Sequence, residues 1–308
     1  MSRQEFVFGF GAHSGIDDGP ELLRMAQQAD QDGLDIFSLS DHPYLGGRLD
    51  AYAAVGFVLG RTQRLAGFAN VTNLPTRPAA MLARTVTSLS ALSGGRVVLG
   101  MGAGGLWDRI SAMGVPRLSP GGAVNAFEEA IVLVKMLSGG GPPVTYRGRH
   151  YQVDQIEPAP VAAPPVWTGS VGPKSLAATG RVADGWIPGH AADWLSQRYR
   201  ESRPVIDEAA AAAGRDPGEI RTVFNFPGQI TDRPLAATRD PDGRWIGGSA
   251  DQWIEELTVA VVDHGASGFL LFSAEGGTPD IASLDRWANE IVPAVRAAIA
   301  KEVSRAVC

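Results

Sequence analysis

Eight short apolar segments recur along this chain, and each is followed by a stretch with helical spacing. The strand-like segments are 6–10, the run that ends in Asp41-His42, 64–72, 96–101, 166–170, 184–188, 220–226 and 267–272. The helical stretches between and after them are 19–33, 50–60, 78–92, 123–138, 172–181, 191–213, 249–264 and 280–303. In the first of these, Leu22, Leu23, Met25, Ala26 and Ala29 recur at helical spacing, and Gly33 stops the run. Asp50 has the residue type and place of an N-cap for the second. Strands that alternate with helices run parallel, because each helix carries the chain back to the same edge. Eight such units predict a (β/α)8 TIM barrel, an α/β fold with insertion segments, in a single domain over 1–308. An open doubly wound sheet is the alternative with the same local pattern. Residues 139–165 break the alternation with an expected hairpin around Tyr146, Gly148 and Tyr151, and 231–247 read as a polar loop.

The net charge of −6 argues against general nucleic-acid binding. The single cysteine, Cys308, provides neither a disulfide framework nor a cysteine metal site. No His or acidic pair has metal-ligand spacing, so no metal is expected. No apolar run reaches the ~18 residues of a membrane span, and the first residues carry no basic-then-apolar signal. A soluble cytoplasmic protein without a membrane partner is the expectation.

Barrels bind their ligands at the carboxyl ends of the strands, so those ends are where function is sought. Residues 35–44 read Asp-Ile-Phe-Ser-Leu-Ser-Asp-His-Pro-Tyr, an apolar strand stopped by Pro43. Asp41 and His42 form a candidate acid–base or hydride-site pair, since imidazole gives or takes a proton near neutral pH. Adjacent residues of a strand face opposite ways, so Asp41 is placed to orient the loop rather than the imidazole. A capping Asp beside an exposed His is the plainer alternative. Asn70, Val71 and Thr72 end the third strand. Gly102-Ala103-Gly104-Gly105 follows the fourth, where small residues let the backbone approach an anion or simply make a turn. Gly169-Ser170-Val171-Gly172-Pro173 opens a helix whose first amides, with Ser170 and Lys174, suit a phosphate. His13 and Ser14 lie in the first loop, His264 at a helix end, and Arg77 and Arg84 are either anion ligands or solvated charges. Trp107, Trp186, Trp245 and Tyr44 suggest an apolar pocket.

Four stretches together resemble the luciferase-like monooxygenase family: SDHPY at 40–44, TNLPTRPAAMLARTVTSLSALSGGRVVLGMGAGG at 72–105, NAFEEAIVLVKML at 125–137 and PPVWTGSVGPKSLAATGRVADGW at 164–186. Their order and spacing fit over residues 5–275. The resemblance implies a flavin- or deazaflavin-dependent barrel oxidoreductase, and the Ser-Asp-His form is similar to the branch that uses coenzyme F420. It implies Asp41 and His42 beside the deazaflavin. It also implies an Asn70-Val71 bulge, often a cis peptide, that backs the ring, with Thr72 next to it. A phosphate site is implied on the backbone around Gly102, Ala103 and Gly104 and around Gly169, Ser170, Val171 and Gly172. The expected reaction passes a hydride between C5 of the deazaflavin and a small organic substrate, with His42 exchanging the accompanying proton. A homodimer through the early helices is implied. The alternatives are an FMN-dependent monooxygenase fed with reduced flavin by a partner reductase, or an F420 enzyme served by its own reductase, or a non-catalytic flavin-binding barrel. Two departures point away from a sugar-phosphate substrate. Gly105 stands where family sugar-phosphate dehydrogenases carry a proton-transferring Glu, and the only lysines are Lys135, Lys174 and Lys301.

Overall fold

The apolar segments pair edge to edge, all in parallel. In a computed structural model that describes residues 6–13 and 15–307, the strands are β1 (Val7–Ala12), β2 (Ile36–Leu39), β3 (Ala66–Ala69), β4 (Thr72–Asn73), β5 (Leu99–Gly102), β6 (Val144–Arg147), β7 (Gln152–Ile156), β8 (Val166–Thr168), β9 (Gly185–Trp186), β10 (Arg221–Pro227), β11 (Gln229–Thr231), β12 (Gly247–Ser249) and β13 (Gly268–Phe272). Ser14 and Cys308 lie outside the described residues. The main sheet runs β3-β2-β1-β13-β10-β9-β8-β5-β4. A parallel bridge from Gly67 to Val97 joins β3 to the run leading into β5. β3 and β4 are therefore two halves of one stave, interrupted at Asn70-Val71, and the sheet closes on itself as the expected eight-stave barrel. A doubly wound sheet would leave two free edges.

The staves read as near-continuous apolar runs because both their faces are covered. Ile36, Phe68, Val98, Trp167, Ile187, Val223, Leu270 and Phe272 form one buried cluster that fills the barrel interior. The larger cluster lies between strands and helices and includes Phe8, Phe10, Phe37, Phe224 and Phe269 with Trp253 and Trp287. The Phe272 ring lies where a side chain on Gly11 would go, since a Cβ there would stand 1.8 Å from its Cζ. Only glycine on β1 leaves room for this plug at the upper end of the barrel.

Four segments differ from the sequence expectation. The Ala-rich helix expected over 191–213 runs only Gln197–Ala212. Ser196 caps it by accepting from the Tyr199 amide at 3.2 Å, and Asp193 accepts from the Leu195 amide at 3.0 Å. Short polar side chains offer the backbone an alternative to the helix, so residues 187–196 form a loop above β9. A short helix, Trp107–Ala112, occupies the Pro/Gly-rich connection after β5. The polar loop at 231–247 is flanked by the parallel pair β11 and β12. The final helix is interrupted by a π turn at Trp287–Ile291. The hairpin forms as expected from β6 and β7, pinned by Glu129, which accepts from the amides of Arg149, His150 and Tyr151. No described helix is long and apolar enough to cross a membrane.

Candidate active site

The carboxyl ends of the staves converge on a cavity of ≈ 780 Å³. Asp41, His42, Asn70, Val71, Thr72, Gly102, Ala103, Gly104, Gly169, Ser170 and Val171 all line it. Gly172 does not, and instead stands at the N-cap of helix Pro173–Val182. Residues scattered over 131 positions of sequence thus share one chamber because parallel staves bring all their carboxyl ends to one rim.

His42 is half-buried at the rim, three residues past the end of β2. Its Nδ1 lies 2.7 Å from the Tyr44 hydroxyl. Burial lowers the affinity of His42 for a proton, and the charges of His13 and Arg48 lower it further, against the opposing pull of Asp41. Burial, with the Asp41 charge, raises the Tyr44 phenol above its ordinary range. The Nδ1–phenol contact suits either tautomer of the neutral imidazole, and in the one that carries its proton on Nδ1 the Nε2 lone pair is free.

Asp41 is engaged elsewhere. Its side chain is 1% exposed. Its Oδ2 accepts from Arg77 Nε and from the Asn73 amide, both at 2.9 Å, and its Oδ1 accepts from Arg77 Nη2 at 2.7 Å. The same Nη2 reaches Asp50 Oδ2 at 2.8 Å, while Asp50 Oδ1 caps the following helix through the Ala53 amide. Burial alone would lower the Arg77 pKa, but hydrogen bonds and charge from Asp41, then Asp50, hold it above its usual value. Arg77 also lies 4.7 Å over the Tyr52 ring, whose hydroxyl meets Thr72 Oγ1 at 2.7 Å. Asp41 therefore fastens the loop after β2 to β4; since β2 ends at Leu39, this comes from the loop's course and not from strand alternation, and Arg77 is neither an anion ligand nor a solvated charge.

The Asn70-Val71 peptide bond is cis. Asn70 Nδ2 donates to Asn225 Oδ1 at 2.8 Å and to Ser38 Oγ at 3.2 Å. Val71 is flanked by two glycines: a Cβ on Gly102 would lie 2.8 Å from Val71 Cγ2, and one on Gly169 would lie 3.0 Å from it. Gly102 ends the adjacent stave β5 and Gly169 follows β8, the stave beyond it, so side-chain-free backbone meets the valine from that one side and leaves a flat shelf in the chamber. Beside it, Asn73 Oδ1 is buried without a hydrogen-bond partner among the described residues.

Several lining residues escaped the sequence reading. His13 donates from Nε2 to the Gly276 carbonyl at 2.9 Å, and its Nδ1 meets Ser40 Oγ at 3.1 Å. His190 and Ala191, at φ of 60° and 50°, reach the chamber from the loop above β9. Asn225 and Phe272 come from the ends of β10 and β13. A strand-end position was the available signal for the last two, and an isolated histidine gives none. The apolar pocket expected from tryptophans is not formed. Trp186 stacks on Tyr199, Trp245 packs on Trp253, and neither lines the chamber, nor does Trp107. Tyr44 alone of that group does.

A tricyclic flavin or deazaflavin fits these residues. The chamber has the volume of a cofactor site, the shelf gives a planar ring a surface, and the orphaned Asn73 oxygen is an acceptor for a ring N–H. Among the described residues no group of three or more His, Cys, Asp or Glu is arranged to hold a metal ion.

The family model for luciferase-like monooxygenases matches residues 6–278. The chain is 29% identical over 226 residues to an F420-dependent glucose-6-phosphate dehydrogenase of Microbacterium testaceum, covering 70% of this chain and 66% of that protein. It is 30% identical over 203 residues to a 5,10-methylenetetrahydromethanopterin reductase of Methanolobus tindarius, covering 65% and 58%. The chain thus spans less than two thirds of the length of either relative. Among solved structures, an F420-dependent secondary alcohol dehydrogenase in complex with an F420-acetone adduct superposes with a TM-score of 0.77 at 21% identity, covering 95% of this chain and 99% of the other. At that identity the likeness establishes the fold.

Proposed function

This chain belongs to the luciferase-like monooxygenase family, and on that premise we propose that it is a coenzyme F420-dependent oxidoreductase acting on a small organic substrate. The observation that carries the reading is the juxtaposition of the Val71 shelf with His42 in one chamber. The first curated relative, named for F420 dependence, supports the choice of cofactor.

Bound against the shelf, the deazaflavin supplies a carbon that gives or takes a hydride, chemistry that no side chain offers. The protein does the rest. The small residues at 102–105 and Ser170 line the chamber and let anionic groups approach the backbone there, while the Gly169 amide is taken by the Met101 carbonyl at 3.0 Å. Asn73 and Asn70 are the polar contacts for the ring edge. Phe272 plugs the barrel below and keeps water from entering that way. Tyr44 fixes the imidazole at Nδ1; with the proton on Nδ1 donated to the Tyr44 oxygen, the Nε2 lone pair would take the proton that a substrate hydroxyl loses as its carbon gives up the hydride, and the imidazolium so formed would return it in the reverse direction. Asp41 acts through the loop that carries His42, as a positioning residue.

The nine-residue helix Ala51–Leu59 carries no charged side chain, and Phe57 on it is 60% exposed. Six of its residues are buried within the chain, and its exposed positions, Ala53 and Phe57, are apolar, which supports a homodimer through this edge of the helix. A reducing, cytoplasmic setting suits a chain with one cysteine. Titrating the purified protein with F420 and with FMN, read by intrinsic tryptophan fluorescence, tests the assignment. Saturable binding of F420 in preference to FMN is expected, and tight FMN binding with no response to F420 would reverse it.

A further inference from the structure

A second hollow of ≈ 410 Å³ opens off the chamber and shares His13, His42, Tyr44 and Leu106 with it. Its remaining polar lining is Arg48 and Arg109, and no Asp or Glu lines it. Arg48 comes from the loop after β2, and Arg109 from the short helix after β5. Neither guanidinium has an ion-pair partner among the described residues. The nearby acids are already taken: Asp41 by Arg77, and Asp108 by Arg117 at 2.5 Å. Arg48 Nη1 is buried without a hydrogen-bond partner among the described residues. A guanidinium nitrogen removed from water and left unpaired is a site prepared for an acceptor that arrives with a ligand. Leu106, held at φ 51° and 64% exposed, forms the apolar rim between the two hollows.

We propose that this annex is the substrate subsite, in which Arg48 and Arg109 grip a carboxylate or phosphate group and hold the reacting carbon toward His42. The inference rests on the redox reading above for what happens to that carbon, but not for the binding itself. An oxyanion offers the fork geometry that guanidinium recognises, and a single anchor leaves the apolar body of the substrate to pass Leu106 into the chamber. Two arginines here serve where the chain has no lysine, so the grip on an anionic substrate does not require the lysines whose absence marked the sequence.

The test is calorimetric titration of the free and of the F420-loaded protein with benzoate, phenyl phosphate and benzyl alcohol. The wild-type protein should bind one of the two anions at least about tenfold more tightly than the neutral alcohol, as charge-assisted contacts require. The tighter of the two identifies carboxylate or phosphate as the source. R48Q/R109Q should abolish that preference while F420 affinity and the thermal melt stay as in wild type, and R48K/R109K, which keeps the charge, should restore part of it. No anion preference in the wild type, or a preference that survives in R48Q/R109Q, would overturn the proposal. So would a loss of F420 binding in R48Q/R109Q with anion binding intact, since the annex would then hold the acidic tail of the cofactor. Anion preference in a protein that does not bind F420 would uphold the annex and overturn the cofactor assignment alone.

Discussion

Replacing Gly102 by alanine probes the shelf directly. The added methyl would stand 2.8 Å from Val71 Cγ2, well inside the 3.4–4 Å of ordinary contact. Gly169, on the same side one stave further on, already faces Val71 Cγ2, and a Cβ there would stand 3.0 Å from it. Pushed away from β5 and β8, the valine side chain shifts within the chamber it lines, where the ring is placed. Overpacking of this kind costs about 1–3 kcal/mol. If that cost appears as lost cofactor affinity, the F420 dissociation constant rises roughly 5- to 150-fold. Gly169→Ala, with its looser contact, should fall in the lower part of that range. Gly121→Ala, where nothing lies within 4 Å, serves as the neutral control. The assay is equilibrium titration with F420, with a thermal melt to separate binding from folding. Val71→Ala added to Gly102→Ala should recover most of the affinity. Wild-type affinity in Gly102→Ala, or no recovery in the double variant, would refute the placement of the ring on Val71.

Other consequences follow from the same geometry. His42→Ala should cut turnover by about 10²- to 10⁴-fold, the usual worth of a positioned acid–base group, with F420 affinity unchanged; steady-state kinetics beside a binding titration reads both. Arg77→Met strands the buried Asp41 carboxylate and should destabilise the fold by about 3–5 kcal/mol, measured by denaturant unfolding, with part of the loss recovered in Asp41→Asn/Arg77→Met. By NMR, His42 should titrate below the ordinary 6.5, and Arg48→Gln should move the midpoint upward by removing one of the charges that oppose protonation. The sign for stability follows from linkage. The folded state binds the His42 proton more weakly than the unfolded chain, so this contribution is complete above pH 6.5 and is lost as pH falls through the lowered value.

The barrel was legible because parallel staves covered on both faces must be apolar throughout, and the intervening helices show their own period. The strand ends were legible for the same reason, since Asp41, His42 and the glycines come where apolar runs stop. What His42 and Asp41 each do was not equally visible. Adjacent in sequence, they turn opposite ways, and the partner that claims Asp41 lies 36 residues on at Arg77. Nothing in the sequence singles out Arg48 and Arg109, because whether an arginine has an acid to pair with is a property of space. The tryptophans misled because bulk and apolarity serve a core as well as a pocket. The start of helix Gln197–Ala212 was missed because alanine propensity hides the caps at Asp193 and Ser196, whose displacement of the helix frees His190 for the chamber.

A crystal structure of the protein grown with F420 tests the central claim most directly. The ring should lie flat on Val71 between residues 102 and 169, with its reactive carbon on the side of His42 and the imidazole Nε2 facing the substrate space. Density for the ring outside this chamber, or with the reactive carbon turned away from His42, would contradict it.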